Sequence, residues 1–325
     1  MASRFGVFVP QGWKMDLTAF QGGPAKYQAM RRVALEAERL GYDGLWVYDH
    51  FHTIPRPAIE ATFECWSVMA ALAVETRRIR LGQMVTCNSY RPPALLAKMS
   101  STVDVISNGR LEFGIGAGWY EHEYRAYGYP FPPVGERLRQ LDEAVQLITA
   151  MWTQETATFT GAYYAIHGAI NEPRPVQRPH PPIWIGGGGE KVTLRIVAQR
   201  GDASNFGGTL DQVRHKCEVL QQHCRDVGRD YDAITKSVSF EPVIIRATEP
   251  QARAAAERVK PAGMPSVDAW ASLALIGSPE QCIERIRAYE RVGISYFILY
   301  FHGVAEDLEP LRLFAEQVLP ALRAG

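Results

Sequence analysis

The stretch GLWVYDHFH, residues 44–52, opens like a buried strand and closes on an acid and two imidazoles. A short apolar run entered through Gly reads as a strand covered on both faces. The rim of such a strand is ordinarily Gly, Asn or Lys, so Asp49, His50 and His52 clustered at its mouth call for a chemical reason.

Seven further runs of the same kind surround it: RFGVFVP (4–10), IRLGQMV (79–85), LEFGIGAG (111–118), PIWIGG (182–187), DASNF (202–206), SVSFEPVII (237–245) and SYFILYF (295–301). Segments of helical period separate them, at 24–40, 62–75, 93–106, 136–152, 190–200, 210–227, 250–259 and 279–292, with a last one at 308–322. Gly41, Gly109 and Gly293 stand just past three of these segments, where a helix stop belongs. Eight strands alternating with helices predict an α/β protein, a (β/α)8 TIM barrel. The length of 325 residues allows one domain or two. The irregular part, 119–182, holds one helical segment, the hairpin-like ATFTGAYYAIHGA (157–169) and the Pro-rich EPRPVQRPHPP (172–182). It lacks the periodic apolar sequence for a core of its own. The expectation is therefore a single domain, 1–325, with 119–182 inserted between strands 4 and 5 over the barrel mouth.

Composition narrows the partners. With 46% apolar and 22% charged residues the chain folds around a large core. Lys+Arg and Asp+Glu balance at 35 each, so no net field draws the protein to nucleic acid or a membrane, and a small molecule is the expected partner. The five cysteines are scattered with no CxxC, which predicts free thiols in a reducing compartment. The few residues before the first strand and the absence of an 18-residue apolar run predict a cytoplasmic protein.

In such a barrel the site forms where the strands end. Gln11, Gly12 and Trp13 close strand 1; Thr86, Cys87 and Asn88 strand 3; Gly118 and Trp119 strand 4; Asn205 strand 6; His302 strand 8. His50-Phe51-His52 is an HxH pair, but strands 5 and 6 end in Gly and Asn, which leaves a metal without its further ligands; a structural, hydrogen-bonded His pair is the plainer reading. Cys217 and Cys224 with His215 and His223 lack a second cluster and read as an ordinary helix. Gly114-x-Gly116-x-Gly118 is followed by Trp119 where the dinucleotide fingerprint needs its third Gly region and helix, so that fingerprint fails. Gly186–Gly189 runs from strand 5 toward a helix expected near Glu190. Bare N–H groups there, with Lys191 and Arg195 close by, form a cradle for an anion such as phosphate; a flexible βα turn is the plainer reading.

Taken together, GLWVYDHF (44–51), RLGQMVTCNSYRPPALLAK (80–98), VDVISNGRLEFGIGAGWYEHEY (103–124), PPIWIGGGGEK (181–191) and GDASNF (201–206) make the chain resemble the luciferase-like monooxygenase superfamily. Within it, the resemblance is to the branch that uses coenzyme F420, an 8-hydroxy-5-deazaflavin. It implies a barrel that carries the ring system over its strand ends, and a homodimer. Carried over residue by residue, it implies that His50 is catalytic and Asp49 contacts the cofactor. Met84 and Val85 fall where the family has a non-prolyl cis peptide behind the ring, with Cys87 just beyond. Ala117, Gly118 and His122 after strand 4, and Gly188, Gly189 and Lys191 after strand 5, match phosphate-side and tail-side contacts. The sugar-phosphate dehydrogenases of this branch carry an acid where this chain has Trp119, so glucose 6-phosphate is not the expected substrate. The expected reaction is hydride transfer between reduced deazaflavin and an apolar small molecule walled by Gln11, Trp13 and Trp119. FMN in a monooxygenase of the same fold, or a flavin carrier without catalysis, are the alternatives.

Overall fold

The computed structural model describes residues 3–323. Eight strands, β1 (Arg4–Phe8), β2 (Gly44–Val47), β3 (Arg80–Gln83), β4 (Leu111–Gly116), β5 (Ile183–Gly186), β6 (Ala203–Phe206), β7 (Thr235–Ile245) and β8 (Tyr296–Phe301), pair in parallel and in order. The ring closes where Arg4 of β1 lies opposite Tyr296 of β8. It is the expected TIM barrel, each strand within a few residues of its predicted bounds.

Alternation along each strand divides two cores. Leu45 and Val47 face the helices in one cluster, while Trp46 joins Trp184 and Tyr296 in another, inside the barrel. A bore of this width takes such rings only where neighbouring strands give up side chains. A Cβ on Gly6 would lie 2.2 Å from Trp46 Nε1, one on Gly82 2.5 Å from Trp46 Cζ3, and one on Gly44 2.4 Å from the Tyr296 hydroxyl. The polar edges are paired: Trp46 Nε1 donates to the Tyr296 hydroxyl at 3.1 Å, and Trp184 Nε1 to Glu112 at 2.6 Å. The barrel is thus plugged, and ligands are confined to its rim.

The outer layer begins with α1 (Gly23–Arg39), α2 (Cys65–Glu75) and α3 (Pro93–Ile106). Then come α4 (Glu121–Ala126), α5 (Val134–Thr153), α6 (Thr193–Arg200), α7 (Leu210–Val227), α8 (Glu249–Val259), α9 (Val267–Ala271) and α10 (Pro279–Glu290), and helical turns continue over 309–323. The segment 119–182 departs from expectation in one respect. Its long helix, α5, buries Leu141, Val145, Ile148 and Trp152, and the Trp152 ring meets Phe113 of β4 edge-on at 4.9 Å. It is the barrel's own fourth helix. What is added is the short α4 over the mouth and the antiparallel hairpin Ala157–Thr160/Ala165–Ala169, which Glu143 of α5 holds by accepting from the Ala162, Tyr163 and Tyr164 amides.

β7 also departs from a plain strand. Its register against β8 shifts between Phe240 and Val243, after which it pairs with Leu275–Gly277. Bulges of this kind re-aim side chains beside functional sites, and Glu241 sits within it. Among the described residues no helix is long and apolar enough to cross a membrane.

Candidate active site

The carboxyl ends of the strands surround a cavity of about 510 Å3. A larger hollow of about 850 Å3, bordered by Ser3, Arg291, Ser295 and Arg323, lies at the opposite end, beneath the start of β8, away from the strand ends that carry chemistry in this fold.

His50 sits on the cavity wall, just past β2. Its Nδ1 is 2.8 Å from Oε2 of Glu123, a side chain with no solvent exposure. Glu123 Oε1 accepts from the Phe51 and His52 amides at 2.6 and 2.8 Å, and Oε2 also accepts from the Tyr90 hydroxyl at 2.8 Å. Burial alone would raise this carboxyl, but the hydrogen bond and charge of His50 and the two amides outweigh it and hold it below the usual range. An ionised carboxylate only accepts, so Nδ1 carries a hydrogen, and whenever the ring is unprotonated at its other nitrogen the lone pair stands on Nε2. The imidazole lies flat on Trp13, 4.0 Å between centroids and 7° between planes, and Trp119 meets it edge-on at 5.8 Å. His52 has other neighbours, its ring 5.0 Å from His122 and 5.5 Å from Tyr127. The two imidazoles of the HxH pair therefore belong to separate clusters.

Asp49 lines the cavity, but its carboxylate is engaged. Arg91 binds it through both terminal nitrogens, at 2.6 and 3.0 Å, and the Cys87 amide donates to Oδ2 at 2.9 Å. Arg91 reaches on to Glu64, which caps α2. Asp49 thus ties the end of β2 to the segment after β3. The carboxylate that orients the imidazole is that of Glu123, not of Asp49. Cys87 also lines the cavity; burial, with the charge of Asp49, pushes its thiol up to about 12.

The floor is shaped by missing Cβ atoms. Met84–Val85 is a cis peptide, and both residues line the cavity. A Cβ on Gly116 would stand 2.6 Å from Val85 Cγ2, and one on Gly186 2.7 Å from Val85 Cγ1, so Val85 fits between β4 and β5 because both lack side chains. Gly118, at φ +75°, has the Tyr124 hydroxyl 1.9 Å from its would-be Cβ; only glycine suits it, and with Ala117 it borders the cavity.

The glycine loop differs from expectation. The helix does not begin at Glu190: Val192 stands at φ −120°, ψ −54°, and α6 starts at Thr193. A turn intervenes, so Lys191 and Arg195 are exposed and do not face the cavity, while Gly186, Gly187, Gly189 and Thr193 do. The cation at the loop is Lys216 of α7, whose Nζ donates to the Gly207 carbonyl at 2.7 Å and lies 2.6 Å from where a Gly188 Cβ would be. Bare backbone with one ammonium beside it suits a phosphate. Two other expected contacts lie elsewhere. His122 is exposed on α4 and off the cavity wall. Gln11 is buried and bonds with the Tyr48 amide and carbonyl, splicing β1 to β2 behind the wall rather than lining it.

Glu123, Arg91, Lys216 and Glu241 escaped sequence reasoning. Of these, Glu241 alone left a signal, an acid inside the apolar SVSFEPVII. Its Oε2 is paired with Lys14 and accepts from the Tyr48 hydroxyl at 3.1 Å.

A parallel (β/α)8 barrel with a bare glycine loop and an oriented imidazole at its rim defines a class, barrel proteins whose site lies at the strand ends. The family model for luciferase-like monooxygenase matches residues 3–296, and the chain belongs to that family. It is 30% identical to an F420-dependent glucose-6-phosphate dehydrogenase of Amycolatopsis mediterranei (strain U-32) over 94% of this chain and 97% of that one. It is 27% identical to an FMNH(2)-dependent dimethylsulfone monooxygenase of Pseudomonas putida over 90% and 87%. A solved F420-dependent secondary alcohol dehydrogenase, in complex with an F420-acetone adduct, superposes with a TM-score of 0.82 at 21% identity, covering 99% of this chain and 100% of that one. The protein is a flavin- or F420-dependent oxidoreductase of the luciferase-like type.

Proposed function

We propose that the protein is an F420-dependent oxidoreductase that moves hydride between the deazaflavin and a small, uncharged, largely apolar substrate. The observation that carries this reading is His50, fixed by Glu123 with Nε2 left over at the cavity wall. Similarity to a dehydrogenase that uses this cofactor supports the choice of carrier.

The residues present fit such a group. Gly186–Gly189, Thr193 and Lys216 would hold its phosphate, and Val85, Gly116 and Gly118 would bound its ring. Bound there, the cofactor supplies the two-electron carrier. The chain supplies the rest. His50 Nε2 takes or gives the proton at the substrate oxygen, while Glu123 keeps the ring in the tautomer this needs and stabilises it when charged. Trp13 and Trp119 shield that position from water.

The walls also bear on the substrate. Among the described residues lining the cavity there is no Lys or Arg, and Asp49 and His50 are both paired behind it. A sugar phosphate, the substrate in the name of one relative, would bring a second dianion to a site whose cations Lys216 and Lys14 are set against the cofactor's phosphate and Glu241. An FMN monooxygenase is the second reading, supported by the dimethylsulfone relative. The test is to titrate the purified protein with F420 and with FMN, each in oxidised and reduced form, following absorption and binding heat. Tighter binding of F420 together with its reoxidation by a ketone panel in the absence of oxygen is the expected result. Preference for FMN with oxygen-dependent turnover overturns the proposal.

A further inference from the structure

We infer that Glu241, with Lys14 behind it, is a specificity-determining site for a hydroxyl group on the substrate, at the end remote from His50. The inference rests on the oxidoreductase reading and adds the substrate's second polar feature.

The two polar walls are separated by aromatic surface. Trp13 stacks on His50 on one side and lies 4.4 Å from the Tyr48 ring on the other, and the Tyr48 hydroxyl reaches Glu241. A molecule that spans this wall therefore has an apolar body between two polar ends.

The far end is built. The bulge in β7 sets Glu241 on the cavity wall, with its side chain 29% exposed. Lys14, at 15%, lies behind among rings, its Nζ 4.3 Å from the centroid of Tyr300, 5.1 Å from Tyr48 and 5.4 Å from Trp13. Both hydrogen bonds to Glu241 fall on Oε2, and Oε1 has no partner among the described residues. Asn205 and Ser239 line the same cavity. Asn205 Nδ2 donates to Ser237 at 2.9 Å and keeps its second hydrogen; Ser239 donates to Asn205 Oδ1 at 3.3 Å.

The same wall thus carries an uncommitted acceptor, Glu241 Oε1, and an uncommitted donor, Asn205 Nδ2, with the charge of Glu241 balanced by Lys14. A hydroxyl matches both. A methyl group would leave the carboxylate oxygen desolvated and unpaired, and a substrate carboxylate would face Glu241 directly.

The test uses three ketones that differ at the far end, 4-hydroxycyclohexanone, 4-methylcyclohexanone and 4-oxocyclohexanecarboxylate. Binding to the protein saturated with oxidised F420 is measured by calorimetry, so no turnover is needed. The hydroxy ketone is expected to bind at least about tenfold more tightly than the other two. In Glu241→Gln the ammonium of Lys14 loses its counter-charge, and the carboxylate ketone should overtake the hydroxy ketone. Lys14→Met bares the opposite charge and should favour 4-(dimethylamino)cyclohexanone, which covers the case of a Glu241 variant that does not fold. Equal binding of the three ketones, no binding of the hydroxy ketone, or an unchanged order in the folded variants overturns the inference. Binding in the expected order without turnover under any cofactor would sink the proposed hydride transfer to such ketones and leave this binding preference standing.

Discussion

His50 Nδ1 and Glu123 Oε2 stand 2.8 Å apart although 73 residues separate them in the chain. The pair joins the end of β2 to the cap over the barrel, and the same carboxylate holds the His50–His52 loop by two amides. One buried acid therefore fixes both the tautomer and the position of the imidazole.

Replacing His50 with Asn should lower turnover by about 10²–10⁴-fold while leaving cofactor affinity within about twofold. Glu123→Gln removes the charge and one of the two accepting oxygens, so its NH2 must face either the Phe51 and His52 amides or His50 and Tyr90, and it should fall between the wild type and His50→Asn in kcat with little change in KM. Steady-state kinetics beside a cofactor titration checks both. Full turnover in the Asn variant removes His50 from the mechanism.

Glu123 also makes stability depend on pH. Its carboxyl is held below the ordinary 4.5, so the folded state binds its proton less readily than the unfolded chain. The resulting stabilisation is complete above that ordinary value and fades as pH falls through the lower folded one. Glu123→Gln should cost about 2 kcal/mol at pH 7. The gap to wild type should narrow steadily below pH 4.5, as urea unfolding at a series of pH values would reveal.

Lys216→Ala should weaken cofactor binding by about 10- to 100-fold, the worth of a charge-assisted contact to phosphate. Lys191→Ala, exposed and off the cavity, should leave affinity unchanged. Calorimetry at two salt concentrations separates them, since only the lysine that meets the phosphate alters the salt dependence.

Gly186→Ala places a methyl 2.7 Å from Val85 Cγ1. Val85 lines the cavity and is hemmed by Gly116 on the other side, so a shift away from the methyl intrudes on the cofactor's place, and affinity should drop by at least about tenfold, with the melting temperature shifting by a few degrees. Retained affinity would mean that the bound group does not rest on Val85.

All five cysteines are free and buried. Burial raises Cys87 and Cys282 to about 12, so at pH 8 only on the order of one thiol in 10⁴ is ionised at either position. The native protein should consume almost no Ellman's reagent at pH 8, and the urea-unfolded chain five equivalents. Rapid reaction of Cys87 in the folded protein would show that the cavity admits water to its depth.

The barrel could be read from the chain because its cause is local: Leu45, Trp46 and Val47 alternate between two apolar surroundings, and Gly41 or Gly109 ends a helix whatever lies around it. The same local signals placed His50 and Trp13 at strand ends, and so at the rim. The order of the eight strands followed from the strand-helix alternation, since a parallel neighbour needs a crossover. Partnership did not follow. That Asp49 is bound by Arg91 and His50 by Glu123, that Lys216 rather than Lys191 stands over the glycine loop, and that a bulge turns Glu241 into the cavity all depend on contacts across tens to hundreds of residues. A charged side chain acts through space at hydrogen-bond distance, and only the closed barrel decides which ones come that near.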